Sequence, residues 1–192
     1  MTGMTVHMTH FAEKPMDARY LRNAFGRFAT GVTVITTRTA SGKFEGLTAN
    51  SFAAVSLDPP LVSWSLRRTS RSFDGFFAAN HFAVNVLAAQ QHALCRHFNT
   101  PRLDKFEDIA FAEGMHGAPL LTGSLATFEC RTENTFEGGD HLIFIGRVAR
   151  AIYRDGEPLI FSSGRFCLPS LIEEHAAGDK VAATLSEDWG GL

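Results

Sequence analysis

Three short stretches of this 192-residue chain carry side chains suited to gripping a ligand. The first is Thr48-Ala49-Asn50-Ser51, four small residues set inside the otherwise apolar segment FEGLTANSFAAVSLDPPLVSWSL. On a strand, Thr48 and Asn50 share one face and Ala49 and Ser51 the other. A bulge would turn the backbone N–H and C=O groups outward together. Such an edge suits a flat heteroaromatic ring with alternating donors and acceptors, and it equally suits a barrel corner whose polar groups satisfy one another. The second stretch is SLRRTSRSF, Ser65 to Phe73, with three arginines and three serines ahead of a predicted helix. Arginine recognises phosphate oxygens in pairs, and a helix start favours anions. The plainer reading is a solvated basic loop with Ser70 or Ser72 as the N-cap. Third, His141 follows a Gly138-Gly139-Asp140 turn, as a hydrogen-bond donor at a pocket mouth or merely as a turn-edge residue.

The elements that must position these groups follow from the pattern. PMDARYLRNAFGRFA sets Leu21, Ala24, Phe25 and Phe28 at helical spacing, with Asp17 as cap and Gly31 beyond the end. VTVITTR is a β-branched strand, TASGK a turn, and the segment from Phe44 a strand or two strands broken near Ser51. Asp58-Pro59-Pro60 forces a turn, because neither proline can donate to a ladder, and LVSWSL continues as a strand. TSRSFDGFFAAN predicts a short helix with Phe73, Phe76 and Phe77 on one face, and FAVNVL a strand. AAQQHALCRHF predicts a helix aligning Leu87, Leu94, Cys95 and Phe98, with His92 and His97 toward solvent. After an irregular span over 99–123 comes a hairpin, SLATFECRTENTF and HLIFIGRVARAIYR around the Gly-Gly-Asp turn. EPLIFSSGRF predicts one last short strand. Strands dominate, so the fold expected is mainly β, a closed or partly closed antiparallel barrel with short peripheral helices. The runner-up is an α+β sandwich.

A net charge of −2 gives no global electrostatic case for nucleic acid or an acidic membrane. Seventeen phenylalanines against two tryptophans and two tyrosines predict a ring-rich core, and a ring-lined pocket or a subunit seam. Cys95, Cys130 and Cys167 are too scattered for a disulfide framework or a zinc cluster, so no metal is expected. The N-terminus lacks a secretory h-region and no run reaches the length of a membrane helix, which predicts a soluble, cytoplasmic protein. The first 14 residues read as a tail, 15–167 as one domain, and 168–192 as an acidic C-terminal tail bearing Trp189. There is no GxGxxG after a strand, no Walker loop and no nucleophile elbow. Chemistry in such a chain would reside in a bound cofactor.

FATGVTVIT at 28–36, GLTANSF at 46–52, SLDPPLVSWSL at 56–66, FAVNVL at 82–87, GAPLL at 117–121 and GDHLIFIGRV at 139–148 together resemble the flavin reductase family. More closely, the chain looks like the small reductase component of two-component flavin-dependent monooxygenases, over Phe25 to Phe166. The resemblance implies an FMN-binding split barrel, a homodimer with flavin near the subunit interface. It implies reduction of FMN or FAD by NADH or NADPH, and release of reduced flavin to a separate oxygenase. By position, Thr48, Ala49, Asn50 and Ser51 would line the isoalloxazine, and Ser65, Leu66 and Arg67 would follow its far side. Ser70, Arg71 and Ser72 would take the phosphate, with His141 and Phe166 near the nicotinamide. The family pattern often has tyrosine where this chain has Phe166, which removes a phenolic hydroxyl there. A non-catalytic flavin carrier and a scaffold for an oxygenase are the competing readings on the same barrel.

Overall fold

The structure, a computed structural model, describes residues 16–102 and 104–170. The expected N-terminal tail, Trp189 and all but the first three residues of the C-terminal tail lie outside the described residues. Helix α1, Ala18–Phe25, is capped as its sequence requires: the Tyr20 N–H donates to Asp17 Oδ1 at 2.7 Å. None of its residues is buried, and Phe28, expected on its apolar face, lies beyond the end of the helix and is exposed.

Eleven of the twelve strands follow in three groups that share one curled body with β1, Thr30–Gly31. The strands β2 (Thr33–Arg38), β3 (Phe44–Ala49), β4 (Ala53–Leu57), β5 (Pro60–Arg67) and β6 (His81–Val86) come from the first half of the chain. Helices α2 (Phe73–Ala78) and α3 (His92–Asn99) flank β6 in sequence. Then come β7 (Phe111–Glu113), β8 (Pro119–Leu121) and the long hairpin β9 (Ala126–Gly138) and β10 (His141–Tyr153). The chain closes with β11 (Ile160–Ser162) and β12 (Arg165–Cys167). The main sheet has seven strands in the order β3-β2-β6-β9-β10-β5-β4, all antiparallel.

The two edge strands of that sheet, β3 and β4, are consecutive in sequence. The sheet therefore curls until its edges are joined by the chain corner at residues 50–52, with no ladder between them among the described residues. That is a split barrel: the ring is closed by chain continuity and left open in hydrogen bonding. The predicted break near Ser51 is this corner.

Apolar residues on both faces of the sheet explain the near-continuous burial of β2. Ile35 points into one cluster with Trp64, Phe76, Phe82 and Phe144, where the Trp64 and Phe144 rings stack 4.6 Å apart. Val34 points into a second, with Leu87, Cys95, Phe98 and Phe106 beneath α3. Buried Asn85 ties the layers together, donating to Val34 O at 3.0 Å and accepting from the Leu121 N–H at 2.8 Å. The predicted final strand is a hairpin instead. Ser163 and Gly164, both at positive φ, reverse the chain, and β11 pairs with both β12 and β1.

Candidate functional site

Where β3 and β5 face each other below the corner, the sheet leaves a cavity of about 690 Å³. This is within the range of small-molecule and cofactor sites. Thr48, Ala49, Asn50 and Ser51 form one wall, and Ser65, Leu66 and Arg67 another. Ser70, Arg71 and Ser72 rim it from the loop before α2, and His141 from the start of β10. The register sets His141 opposite Arg67, so the β9–β10 turn delivers its histidine to the end of β5.

The polar patch divides between the two roles open to it. Ser51 serves the corner: its hydroxyl accepts from the Ser65 N–H at 2.9 Å and lies 3.3 Å from Ser65 O, pinning the corner to β5. The Thr48 hydroxyl donates to Cys95 O at 2.8 Å and holds α3 on β3. Asn50 is exposed, and its side chain has no hydrogen bond among the described residues. The outer edge of β3 pairs with no strand among the described residues, and Phe44 to Ala49 line the cavity.

The three arginines are not equivalent. Arg68 is drawn away, bonded to Glu137 with its guanidinium 5.8 Å above the Phe73 ring. Arg67 lies 3.8 Å from Asp140, both in solvent. Arg71 makes no ion pair among the described residues. Helix α2 has only six residues, so arginine charge and not a helix dipole makes this rim attractive to anions. Ser72 stands at the N-cap position without a side-chain cap bond; its hydroxyl donates to Glu45 at 2.7 Å.

His141 Nδ1 lies 2.7 Å from Asp140 Oδ1. That hydrogen bond, followed by the charges of His141 and Arg67, holds the Asp140 carboxyl below its ordinary range. An ionised carboxylate only accepts, so Nδ1 carries a proton and donates it in a hydrogen bond to Asp140. Nε2, the other ring nitrogen, has no hydrogen bond among the described residues.

Phe166 does not line the cavity. It belongs to β12, packing against Phe161 at a ring separation of 5.7 Å with the Arg96 guanidinium 5.9 Å above it. In its place the structure brings in residues that the sequence reading passed over: Lys43, Glu45, Phe98, Asn99, Pro101, Arg102 and Lys105. Lys105 donates to Gly46 O at 3.0 Å and to Phe98 O at 2.8 Å, and partial burial draws its pKa down. His97, expected in solvent, reaches the same loop, with Nε2 2.7 Å from Lys105 O. Five cationic side chains (Lys43, Arg67, Arg71, Arg102 and Lys105) therefore surround a single carboxylate, Glu45. That donor set, beside an open strand edge with small side chains, suits a phosphorylated ligand with a flat polar ring. No group of side chains able to hold a metal occurs among the described residues.

A split β-barrel with a cation-lined cavity at its open seam is the class that fold and geometry define. The chain belongs to the family described as flavin reductase like domain, which it matches over residues 25–169. It is 47% identical over 150 residues to an FMN reductase (NADH) of Agrobacterium fabrum, covering 78% of this chain and 85% of that protein. It is 42% identical over 156 residues to the reductase subunit of a flavin-dependent monooxygenase of Rhodococcus jostii, covering 81% and 80%. Among solved structures it is similar to the NADH:FAD oxidoreductase of Streptomyces globisporus in complex with NAD and FAD fragments. There the TM-score is 0.79 and the identity 39%, over 84% of this chain and 98% of that one.

Proposed function

We propose that this chain is an NAD(P)H-dependent flavin reductase, supplying reduced FMN or FAD to a partner flavin-dependent oxygenase. The observation that carries the reading is the cavity itself: one open site, walled by the family's motif residues and lined by five cations to one anion. A flavin held here would supply the redox chemistry, as the acceptor of hydride from a dihydronicotinamide. The protein's part is to bind, orient and polarise. The unpaired edge of β3 and the free Asn50 amide offer donors and acceptors to the ring, while Ser51 and Thr48 hold the walls at their spacing. Arg71, with Arg67 behind it, takes the phosphate. His141, its Nδ1 anchored by Asp140, offers Nε2 to the carboxamide of a nicotinamide. No side-chain acid or base is needed for hydride transfer.

The nicotinamide role expected of Phe166 gains no support from its place on β12. The working unit is a homodimer in the cytoplasm. Exposed Phe25, Phe28, Leu57 and Tyr153 support a covered face, and no helix among the described residues is long and apolar enough to cross a membrane. The test is oxidation of NADH and of NADPH with added FMN and with added FAD. Turnover with at least one pair is expected. Flavin binding without turnover in all four combinations would leave a flavin carrier and sink the reductase.

A further inference from the structure

Glu45 is the one carboxylate on the cavity wall, and it stands beside the rim assigned to phosphate. Its Oε2 accepts the Ser72 hydroxyl at 2.7 Å, and its Oε1 lies 2.7 Å from Lys43 Nζ. Ser72 in turn bonds Ser70, its N–H directed to Ser70 Oγ at 3.3 Å. Glu45, Ser72 and Ser70 are thus contiguous, with Arg71 between the two serines. The Glu45 side chain is also fixed in place. Its Cγ lies 3.0 Å from where a side-chain carbon on Gly75 would stand, so the stem is wedged against the underside of α2. Only 14% of the side chain is exposed, whereas its counter-ion Lys43 is 61% exposed and screened by water.

Two consequences follow for a phosphate at this rim. The Ser72 hydroxyl donates its one hydrogen bond to Glu45 and has none left for an anion, so Arg71 and Ser70 carry the contact. A fixed negative charge also lies one residue away from whatever anion binds there. A phosphate monoester at neutral pH carries close to two negative charges, since its second pKa is about 6. Within a pyrophosphate, the same phosphorus carries one.

We propose that Glu45 is a specificity-determining residue of the flavin site, penalising the dianionic phosphate of FMN against the singly charged phosphate of FAD. The inference rests on the flavin reading above and on phosphate lying at Ser70 and Arg71. Glu45 repels each unit of ligand charge, so FMN meets the penalty twice, FAD once at this position, and riboflavin not at all. Removing the charge without removing the acceptor isolates the effect, which Glu45→Gln does: the amide oxygen still receives the Ser72 hydroxyl.

The experiment is titration of wild type and Glu45→Gln with FMN, FAD and riboflavin at pH 7.5 by flavin fluorescence, with a thermal melt to establish folding. Glu45→Ala replaces the variant should the glutamine form fail to fold. Glu45→Gln is expected to tighten FMN by about three- to tenfold, the scale of one unit charge at a screened site a few ångströms away. FAD should tighten by a smaller factor and riboflavin by less than twofold. Equal changes for all three flavins, or FMN unchanged or weakened, overturn the role of Glu45 and leave the flavin site standing. Failure of wild type to bind any of the three overturns the flavin reading itself.

Discussion

Arg71 and Arg68 stand three residues apart in one basic loop, yet the structure sets them different tasks. Arg68 is bonded to Glu137 and stacked near Phe73, while Arg71 has no ionic partner among the described residues and rims the cavity. Replacing Arg71 by alanine therefore releases no competing contact inside the protein, and its effect on an anion is the contact alone. Hydrogen bonds to charged groups contribute roughly 1.5–3 kcal/mol net. Arg71 is exposed, so solvent screening places the loss at the low end, about 1.5 kcal/mol or about tenfold in Kd. The assay is equilibrium titration of FMN and riboflavin, repeated at low and high salt. Arg71→Ala is expected to weaken FMN about tenfold, to leave riboflavin within twofold, and to flatten the salt dependence of FMN binding. Arg68→Ala should move neither ligand by more than about twofold, because its charge is already engaged. If Arg68→Ala cost FMN as much as Arg71→Ala, or if riboflavin fell alongside FMN, the phosphate assignment would be refuted.

Two further outcomes are expected. Gly46→Ala would place a carbon 2.7 Å from the Phe98 ring and 3.0 Å from Phe106, both buried, so α3 must shift. Urea denaturation should show a loss of about 1–3 kcal/mol, the usual cost of overpacking, and an unchanged midpoint would disprove the close approach. His141→Ala should raise the KM for the nicotinamide substrate several-fold more than it raises the flavin Kd, since Nε2 is the only ring nitrogen left free by Asp140. A parallel loss of flavin binding would contradict that placement.

Most of the barrel could be read from the chain because its signals are local. The Asp17 cap, the Asp-Pro-Pro turn and the Gly-Gly-Asp hairpin each act within a few residues, and each stands where its chemistry demands. What was not legible depends on distant partners. β1 is two residues long and is a strand only because β11 lies beside it. The Ser163-Gly164 reversal makes a hairpin only because β12 finds β11 to pair with. Around the cavity, residue types singled out Thr48 to Ser51 and the basic loop as candidates, and the family resemblance set them, with Ser65 to Arg67, about one ligand. Arg102 and Lys105 come from the irregular loop after α3, where no periodicity marks them. Nor could sequence divide the labour within Thr48 to Ser51. Ser51 and Thr48 are engaged by Ser65 and Cys95, residues 14 and 47 positions away.

The strand order also fixes when this cavity comes into being. Its two walls, β3 and β5, are complete by residue 67, yet in the finished sheet they are separated by β2, β6, β9 and β10. Ser51 can pin the corner to β5 early, but the far ends of the walls are set only when β10 has paired with β5 and brought His141 against Arg67. On a ribosome, the chain carries both halves of its site for some 70 further residues before it has a site at all, as expected of a fold with many non-local pairings. A flavin cannot template such a chain. It can only capture the finished barrel, stabilising it by mass action, about 2.7 kcal/mol at a hundredfold excess over Kd. Cellular flavin supply would then govern how long the folded reductase lasts and would leave its rate of folding unchanged.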